Sequence, residues 1–450
     1  MSTRVEQFAR GLSAETTQSV RSASIIKTDA RLGALAKSFR DVDGARSAAA
    51  ELKEYVLSNL GRLLVELETN CLANGIQVHW ARDADEANEI ILGICQQEAR
   101  STNVIVKAKS MVTEEIHLNG YLELHGFKPV ETDLGEFVVQ IDGDTPSHIV
   151  TPIIHKNRRQ IAESFDREKI GPYTEVPEEL AMQARSHLRS QFHAASIGIS
   201  GVNFACASTG RLVLVENEGN NRLSTTAPDV HIAVMGLEKV VPDEGCLALF
   251  LPLLAGSATG QQLTSYVHLI RGPRQADELD GPREVHLVLL DNNRTKVLSG
   301  PYRDVLKCIR CGACLNVCPV YRQGSGHAYG HVYSGPIGAV LAPAMEGVES
   351  MGDLAKASTL CGSCEEVCPV KIPLPHMLLK LRDEAFRAGV AEISVDWKGF
   401  ADVSSKSWKW RTGLTLLPMA SSLPHPMKAK WSEFRELPKR EGRSFRRNQK

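Results

Sequence analysis

Seven of the 11 cysteines lie between Cys308 and Cys368, in two runs that each end in Cys-Pro. The first is Cys308-Ile-Arg-Cys311-Gly-Ala-Cys314-Leu-Asn-Val-Cys318-Pro319. Its C-x2-C-x2-C-x3-C-P spacing is the bacterial ferredoxin run. Three thiolates at steps of three wrap a tight loop around one face of an iron–sulfur cube. The fourth, followed by proline, has turned away and ligates the other cluster in two-cluster proteins. Gly312 gives the loop the backbone freedom to do this. The second run, Cys361-Gly-Ser-Cys364-Glu-Glu-Val-Cys368-Pro369, repeats the end of the pattern, with Ser358 where its first cysteine is expected.

The crossing rule assigns Cys308, Cys311, Cys314 and Cys368 to one [4Fe–4S] cluster. Cys318, Cys361 and Cys364 are left for a second, with three thiolates. Its remaining iron would bind Ser358, another side chain or water, or be absent, leaving a [3Fe–4S] cluster, so a labile second cluster is expected. Zinc is the competing reading of C-x2-C pairs, but zinc wants four ligands per ion, and seven cysteines divide badly for that.

The other cysteines, Cys71, Cys95, Cys206 and Cys246, are isolated. The N-terminus has no secretory pattern, and no stretch approaches the ~20 apolar residues of a membrane span. These features predict a cytoplasmic protein, peripheral to the inner membrane through partners at most, in a reducing compartment where disulfides are not expected. Lys plus Arg number 52 against 53 Asp plus Glu, a net charge of -1, which argues against nucleic acid as a partner.

The chain's 450 residues suit two or three packed units, and the fold class expected is α/β. Residues 1–70 read as a helical N-terminal arm, with Leu52, Val56, Leu60, Leu63, Leu64 and Leu67 at helical spacing between Ser47 and Asn70. Residues 71–300 read as an α/β body. Its expected strands are Ile76–Trp80, Asn103–Val106, Phe137–Ile141, Leu212–Val215, His231–Val234, Tyr266–Ile270 and Val285–Leu290. Asp83 or Asp85 is expected to cap a helix through Arg100, and Ser110 another. Strands alternating with helices predict a parallel sheet in the first half, and the strand-dense second half predicts mixed pairing. The apolar run Cys246 to Ala255, with Pro252, reads as buried core. Residues 301–390 read as a mostly helical cysteine module, and 391–450 as a tail with Trp397, Trp408, Trp410 and Trp431 and a basic end, Lys439, Arg440, Arg443, Arg446, Arg447 and Lys450.

No nucleotide fingerprint occurs. Gly324-Ser-Gly326-His-Ala-Tyr-Gly330 is not G-x-G-x-x-G, and there is no Walker loop, H-E-x-x-H or nucleophile elbow. A strand followed by a polar, glycine-containing loop is where α/β folds place ligands. That makes Glu216, Asn217, Asn220, Asn221 and Arg222 the candidate binders of a carboxylate- or phosphate-bearing molecule, unless they form an ordinary hydrophilic hairpin. Lys107, Lys109 and Ser110 could meet an anion at a helix start, and His148, His155 and Lys156 flank Thr151-Pro152. A solvated turn and structural histidines are the plainer readings.

With both cysteine runs placed after this body, the chain resembles the iron–sulfur B subunits of the bacterial three-protein L-lactate utilisation system. The resemblance is carried by Ala207-Ser-Thr-Gly-Arg-Leu-Val-Leu-Val-Glu-Asn-Glu-Gly-Asn-Asn-Arg222, by Asp229-Val-His-Ile-Ala-Val234 and by the two cysteine runs. It implies a lactate-utilisation domain similar to the sugar-phosphate isomerase/CoA-transferase fold. It also implies oxidation of L-lactate to pyruvate with two companion proteins, one cysteine-rich, and an unidentified electron acceptor. The seven cysteines carry over to the family's pattern, but no catalytic residue does. The expected role is electron transfer within a lactate dehydrogenase complex, without catalysis by the chain alone. The alternatives are the same conduit for another 2-hydroxy acid or a polyol phosphate, an acyl- or sugar-phosphate enzyme with structural or sensory clusters, and a scaffolding subunit.

Overall fold

The computed structural model describes residues 4–98, 102–390 and 395–412. The chain divides into two compact units, Met1–Ala391 and Glu392–Lys450. In the second, the described residues include the helix Val395–Ser405, with Trp408 and Trp410 exposed beyond it. Trp431 and the basic end lie outside the described residues, as does Arg100. Among the described residues no helix is long and apolar enough to cross a membrane.

The strands of the first unit are β1 (Gln77–Ala81), β2 (Val104–Lys107), β3 (Lys128–Glu131), β4 (Ile197–Gly201), β5 (Phe204–Cys206), β6 (Arg211–Glu216), β7 (Val230–Gly236), β8 (Val240–Val241), β9 (Tyr266–Ile270) and β10 (Glu284–Leu290). Six of them form a sheet in the order β1-β10-β7-β4-β2-β3. Every pair in it is parallel. Such a sheet is covered on both faces and its central strands read as continuous apolar runs. Along β7, Ala233 and Met235 pack on one side with Leu63, Leu64 and Leu67 of the helix Leu60–Ala73. Val230, Ile232 and Val234 pack on the other with Ile91 and Cys95 of the helix Ala84–Glu98. The two-residue period of a strand produces this division. The remaining strands make a second, mixed sheet, β8-β5-β6-β9.

Two local expectations change. Phe137–Ile141 lies within a helix, Leu134–Ile141, not a strand. Asp133 caps it, accepting from the Gly135 and Glu136 N–H groups at 3.0 and 3.1 Å. The strand of this region is β3 instead, whose Pro129 is tolerated because β3 is the sheet edge. The helical periodicity between Ser47 and Asn70 spans two helices, Val42–Ser58 and Leu60–Ala73, which break at Asn59.

β4 was not visible in the sequence, yet it sits between β7 and β2. Gly198 is the reason it can. A Cβ there would stand 1.8 Å from the Ser224 carbonyl oxygen of the helix Asn220–Thr226. Gly198→Ala is expected to push that helix off the sheet and cost about 1–3 kcal/mol, read as a lower denaturant midpoint.

The N-terminal helices lie against the cysteine module. Val20 and Leu35 of the helix Ala14–Ser38 share one core with Leu315, Tyr321, Leu341 and Leu378. Leu35 also packs so tightly on the buried helix Leu247–Thr259 that a Cβ at Gly256 would meet it at 2.6 Å.

Candidate metal centre and adjoining cavity

The two cysteine runs fold as two copies of one loop. In the first, Arg310 and Gly312 have φ of 62° and 74°; in the second, Leu360 and Gly362 have 56° and 87°. Left-handed residues in a turn aim successive backbone N–H groups into a concavity of the kind that receives anions and iron–sulfur groups. Short helices follow each, Ala313–Val317 and Ser363–Glu366. The Arg310 N–H donates to Cys308 Sγ at 3.4 Å, and the Leu360 N–H donates to Ser358 Oγ at 3.0 Å. Ser358 thus holds in the second loop the backbone bond that Cys308 holds in the first.

The thiols act on one another's pKa. Burial pushes Cys311 up to about 12, and Cys308 and Cys368 add to it. Burial also raises Cys314, followed by Cys308, Cys311 and Cys368, with Cys364 last. Burial pushes Cys364 up to about 12, with Cys318 and Cys361 adding. Like groups act this way only at short range. Cys311 and Cys314 therefore feel Cys308 and Cys368, Cys364 feels Cys318 and Cys361, and Cys314 also feels Cys364. Cys311, Cys318, Cys364 and Cys368 are buried, Cys308 and Cys314 half-buried, and Cys361 exposed.

Among the described residues, no three cysteine sulfurs lie within 4.8 Å of one another. Zinc–thiolate bonds of ~2.3 Å require its ligands to sit within roughly 4.6 Å of each other. Sulfurs held wider than that are not in zinc geometry, and seven thiols in two ferredoxin-type runs are the soft donors that iron–sulfur cores take. The N-terminal helices brace the second loop. Arg46 donates to the carbonyls of Cys368 and Glu365 at 3.0 and 3.2 Å, and Arg31 to that of Val367 at 2.7 Å.

Beside the first loop lies a cavity of about 440 Å³. Its walls include segments that follow the carboxyl ends of β2, β3, β4 and β7, with Lys109, Asp133, Asn203 and Lys239 among them. Arg310 and Tyr333 close it from the cysteine module. Carboxyl ends of parallel strands are where α/β sheets bind ligands. A buried network fixes this junction. Glu238 accepts from Arg294 Nε at 2.7 Å and Arg310 Nη2 at 3.2 Å. Arg294 Nη2 pairs with Glu115 at 2.8 Å, Tyr333 OH donates to Glu115 at 2.6 Å, and the Arg310 guanidinium lies 4.3 Å from the Tyr333 ring centre. Burial alone would raise the Glu238 pKa. Arg294, Arg310 and Lys239 overcome it and hold the carboxyl well below the usual range.

The residues singled out in the sequence are distributed unevenly. Glu216, Asn217, Asn220 and Asn221 line the cavity; Arg222 is not among its lining residues. Their polar groups are largely committed to the loop itself. Glu216 accepts from the Asn221 and Arg222 N–H groups at 2.7 and 3.0 Å and pairs with His268 at 2.6 Å. Asn217 bonds Gln261 and Ser265. Ser110 caps the helix Met111–Glu115, and Lys107 is buried between Glu114 and Glu131. His148 packs on Gly312 and accepts from the Val150 and Thr151 N–H groups. His155, Asp144 and His327 bring ligand atoms within 4.8 Å of one another. Lys156, 3.0 Å from Asp144, already supplies a cation there. Lys239, Arg310 and the Glu238 hub were missed. The available signal was a charged pair, Glu238-Lys239, directly after the apolar run of β7.

Residues 64–290 match the family model described as LUD domain, and residues 304–372 that of a 4Fe-4S dicluster domain. The lactate utilization protein B of Anoxybacillus flavithermus (strain DSM 21510 / WK1) is 45% identical over 415 residues, 89% of this chain and 87% of its own. That of Bacillus subtilis (strain 168) is 46% identical over 407 residues, 87% of this chain and 84% of its own. The uncharacterized electron transport protein YkgF of Escherichia coli (strain K12) is 43% identical over 413 residues, 89% of this chain and 86% of its own. A solved DUF162 family protein from Deinococcus radiodurans covers 51% of this chain and 98% of its own at 13% identity and a TM-score of 0.29, too low to bear on the fold, which rests on the topology above. The first match ends with β10 and the second opens just ahead of Cys308, so each supplies one wall of the cavity. The chain belongs to the lactate utilization protein B family.

Proposed function

We propose that this chain is the iron–sulfur electron-transfer subunit of a system that oxidises L-lactate to pyruvate. It works with two companion proteins, one of them cysteine-rich, and is not catalytic alone. One observation carries the reading: the carboxyl edge of the LUD sheet and, through Arg310, the first cysteine loop line the same cavity. Cys308, Cys311, Cys314 and Cys368 hold one [4Fe–4S] cluster. Cys318, Cys361 and Cys364 hold the second, with Ser358 Oγ in its fourth position, a reading supported by the backbone bond it shares in kind with Cys308. When bound, such clusters accept and pass on single electrons, which suits a donor that gives up two. The chain's own part is to seat the donor against the first loop, to exclude bulk water with the buried Arg294–Glu238–Arg310 network, and to present the second loop, through exposed Cys361, to a partner. Glu216, Asn217, Asn220 and Asn221 shape the cavity's outer wall for this donor.

The anaerobic protein should contain about eight iron atoms, four per cubane. Mixed with its companions, it should bleach on addition of L-lactate. Cys311→Ser should retain roughly half the iron and abolish the bleaching while the complex still assembles. Bleaching by glycolate or glycerol phosphate but not by L-lactate would move the assignment to those donors. Turnover by the isolated chain without an electron acceptor would overturn the electron-transfer reading.

A further inference from the structure

The junction behind the cavity buries more positive charge than its carboxylates neutralise. Lys53, Lys239, Arg294 and Arg310 are all buried around only two carboxylates, Glu115 and Glu238. Arg294 takes most of both, and Lys53 is spent on the Glu238 backbone carbonyl at 2.6 Å. Lys239 is 7% exposed, and among the described residues its ammonium makes no hydrogen bond or ion pair. Arg310 is 9% exposed, and its Nη1 is buried with no hydrogen-bond partner. Both residues line the cavity. The carboxylates on the outer wall do not supply the missing charge: Glu216 is held by His268 and two backbone N–H groups, Asp133 caps its own helix, and Glu218 accepts from the Leu134 N–H at 3.1 Å. A buried, unpaired cation is costly unless a counter-ion arrives. Burial, with Arg310 next, accordingly lowers the Lys239 pKa to about 8.

We infer that Lys239 and Arg310 form an anchor for the carboxylate of a small 2-hydroxy or 2-oxo acid, which places the rest of the molecule in the cavity against the first cysteine loop. The anchor deepens the lactate reading and rests on it. A planar carboxylate suits the free edge of a guanidinium together with an ammonium. The competing use of Lys239 is to offset the negative charge of cysteine ligands such as Cys308, and the test separates the two.

The experiment titrates the iron-loaded chain alone, without companions or turnover, with L-lactate, pyruvate, acetate and inorganic phosphate in a calorimeter. L-lactate or pyruvate should bind. Lys239→Met should weaken that binding at least about tenfold, the usual scale for losing a charge-assisted hydrogen bond. Lys239→Arg should restore most of it. Because it removes a buried unpaired cation, Lys239→Met should keep its full iron content and be no less stable than the parent. Unchanged affinity in Lys239→Met, with a shifted cluster potential, would assign the lysine to the cluster's charge and overturn the anchor. So would tighter binding of inorganic phosphate than of either acid, or no binding by a fully iron-loaded chain. If the assembled complex still bleaches with L-lactate in that last case, the electron-transfer role stands and only the anchor falls.

Discussion

Glu238→Ala is expected to destabilise the iron-loaded chain by about 3–5 kcal/mol, the scale for removing one partner from a buried ion pair. Glu238 is 1% exposed and holds one arginine from each side of the junction, Arg294 beyond β10 and Arg310 between Cys308 and Cys311. Its loss leaves Arg294 with Glu115 but, among the described residues, Arg310 with only the Tyr333 ring. The damage should therefore centre on the first cysteine loop. Urea titration should show a lower midpoint, and iron should be released from the variant before the rest of the fold is lost. Glu238→Gln keeps the shape and removes the charge, and should recover only a minor part. The pH dependence follows from the same contacts. Burial opposes the charged form, but Arg294 and Arg310 hold the folded pKa of Glu238 below its unfolded value. The stabilisation is thus complete above the ordinary carboxylate range and is lost as pH falls through the depressed folded pKa. The parent should lose stability on acidification over that window more steeply than Glu238→Gln, which has no such proton to take up. Equal acid sensitivity in the two, or a loss below about 1 kcal/mol in Glu238→Ala, would mean the network does not join the sheet to the cysteine module.

What the sequence disclosed follows from where each signal is written. A metal loop needs given residue types at fixed short spacings, so Cys308 to Cys318 and Cys361 to Cys368 are legible in one reading. β7 and β10 are legible because a parallel strand covered on both faces is apolar throughout. Phe137–Ile141 has the same apolar character, but it follows the Asp133 cap and runs on as a helix. β4 is hidden by the two glycines in Ile-Gly-Ile-Ser-Gly, yet one of them, Gly198, is what admits the neighbouring helix. The cavity was half found. Glu216 and its neighbours stand out because they are polar in a row, but their groups are used up locally. Lys239 and Arg310 look unremarkable in sequence. Their unmet charge exists only because the end of β7 and the first cysteine loop come together in three dimensions, an event no local pattern records.

Ser358 gives the second large effect. In Ser358→Cys the second loop would carry the same ligand as the first, since Leu360 and Gly362 repeat the backbone of Arg310 and Gly312 and the Leu360 N–H already points at the side-chain atom. The second cluster should then become as resistant to oxygen and chelators as the first, because a thiolate binds iron more strongly than a hydroxyl does. Ser358→Ala removes the oxygen and leaves Cys318, Cys361 and Cys364. The iron without a ligand should be lost, lowering the content from about eight to about seven per chain, and the oxidised protein should gain the paramagnetic signal of a three-iron cluster. The first loop serves as the internal control. Its sulfurs are unaltered in both variants, so its reduced-state signal should not move. Neither substitution has a steric reason to disturb the fold, since Ser358 is only half-buried and its carbonyl, held by Arg382 at 2.6 Å, is untouched. Parent, Ser358→Cys and Ser358→Ala with the same iron content and the same oxidised spectrum would show that this hydroxyl is not a ligand. The second cluster would then take its fourth donor from water or from a partner protein at the exposed Cys361 edge.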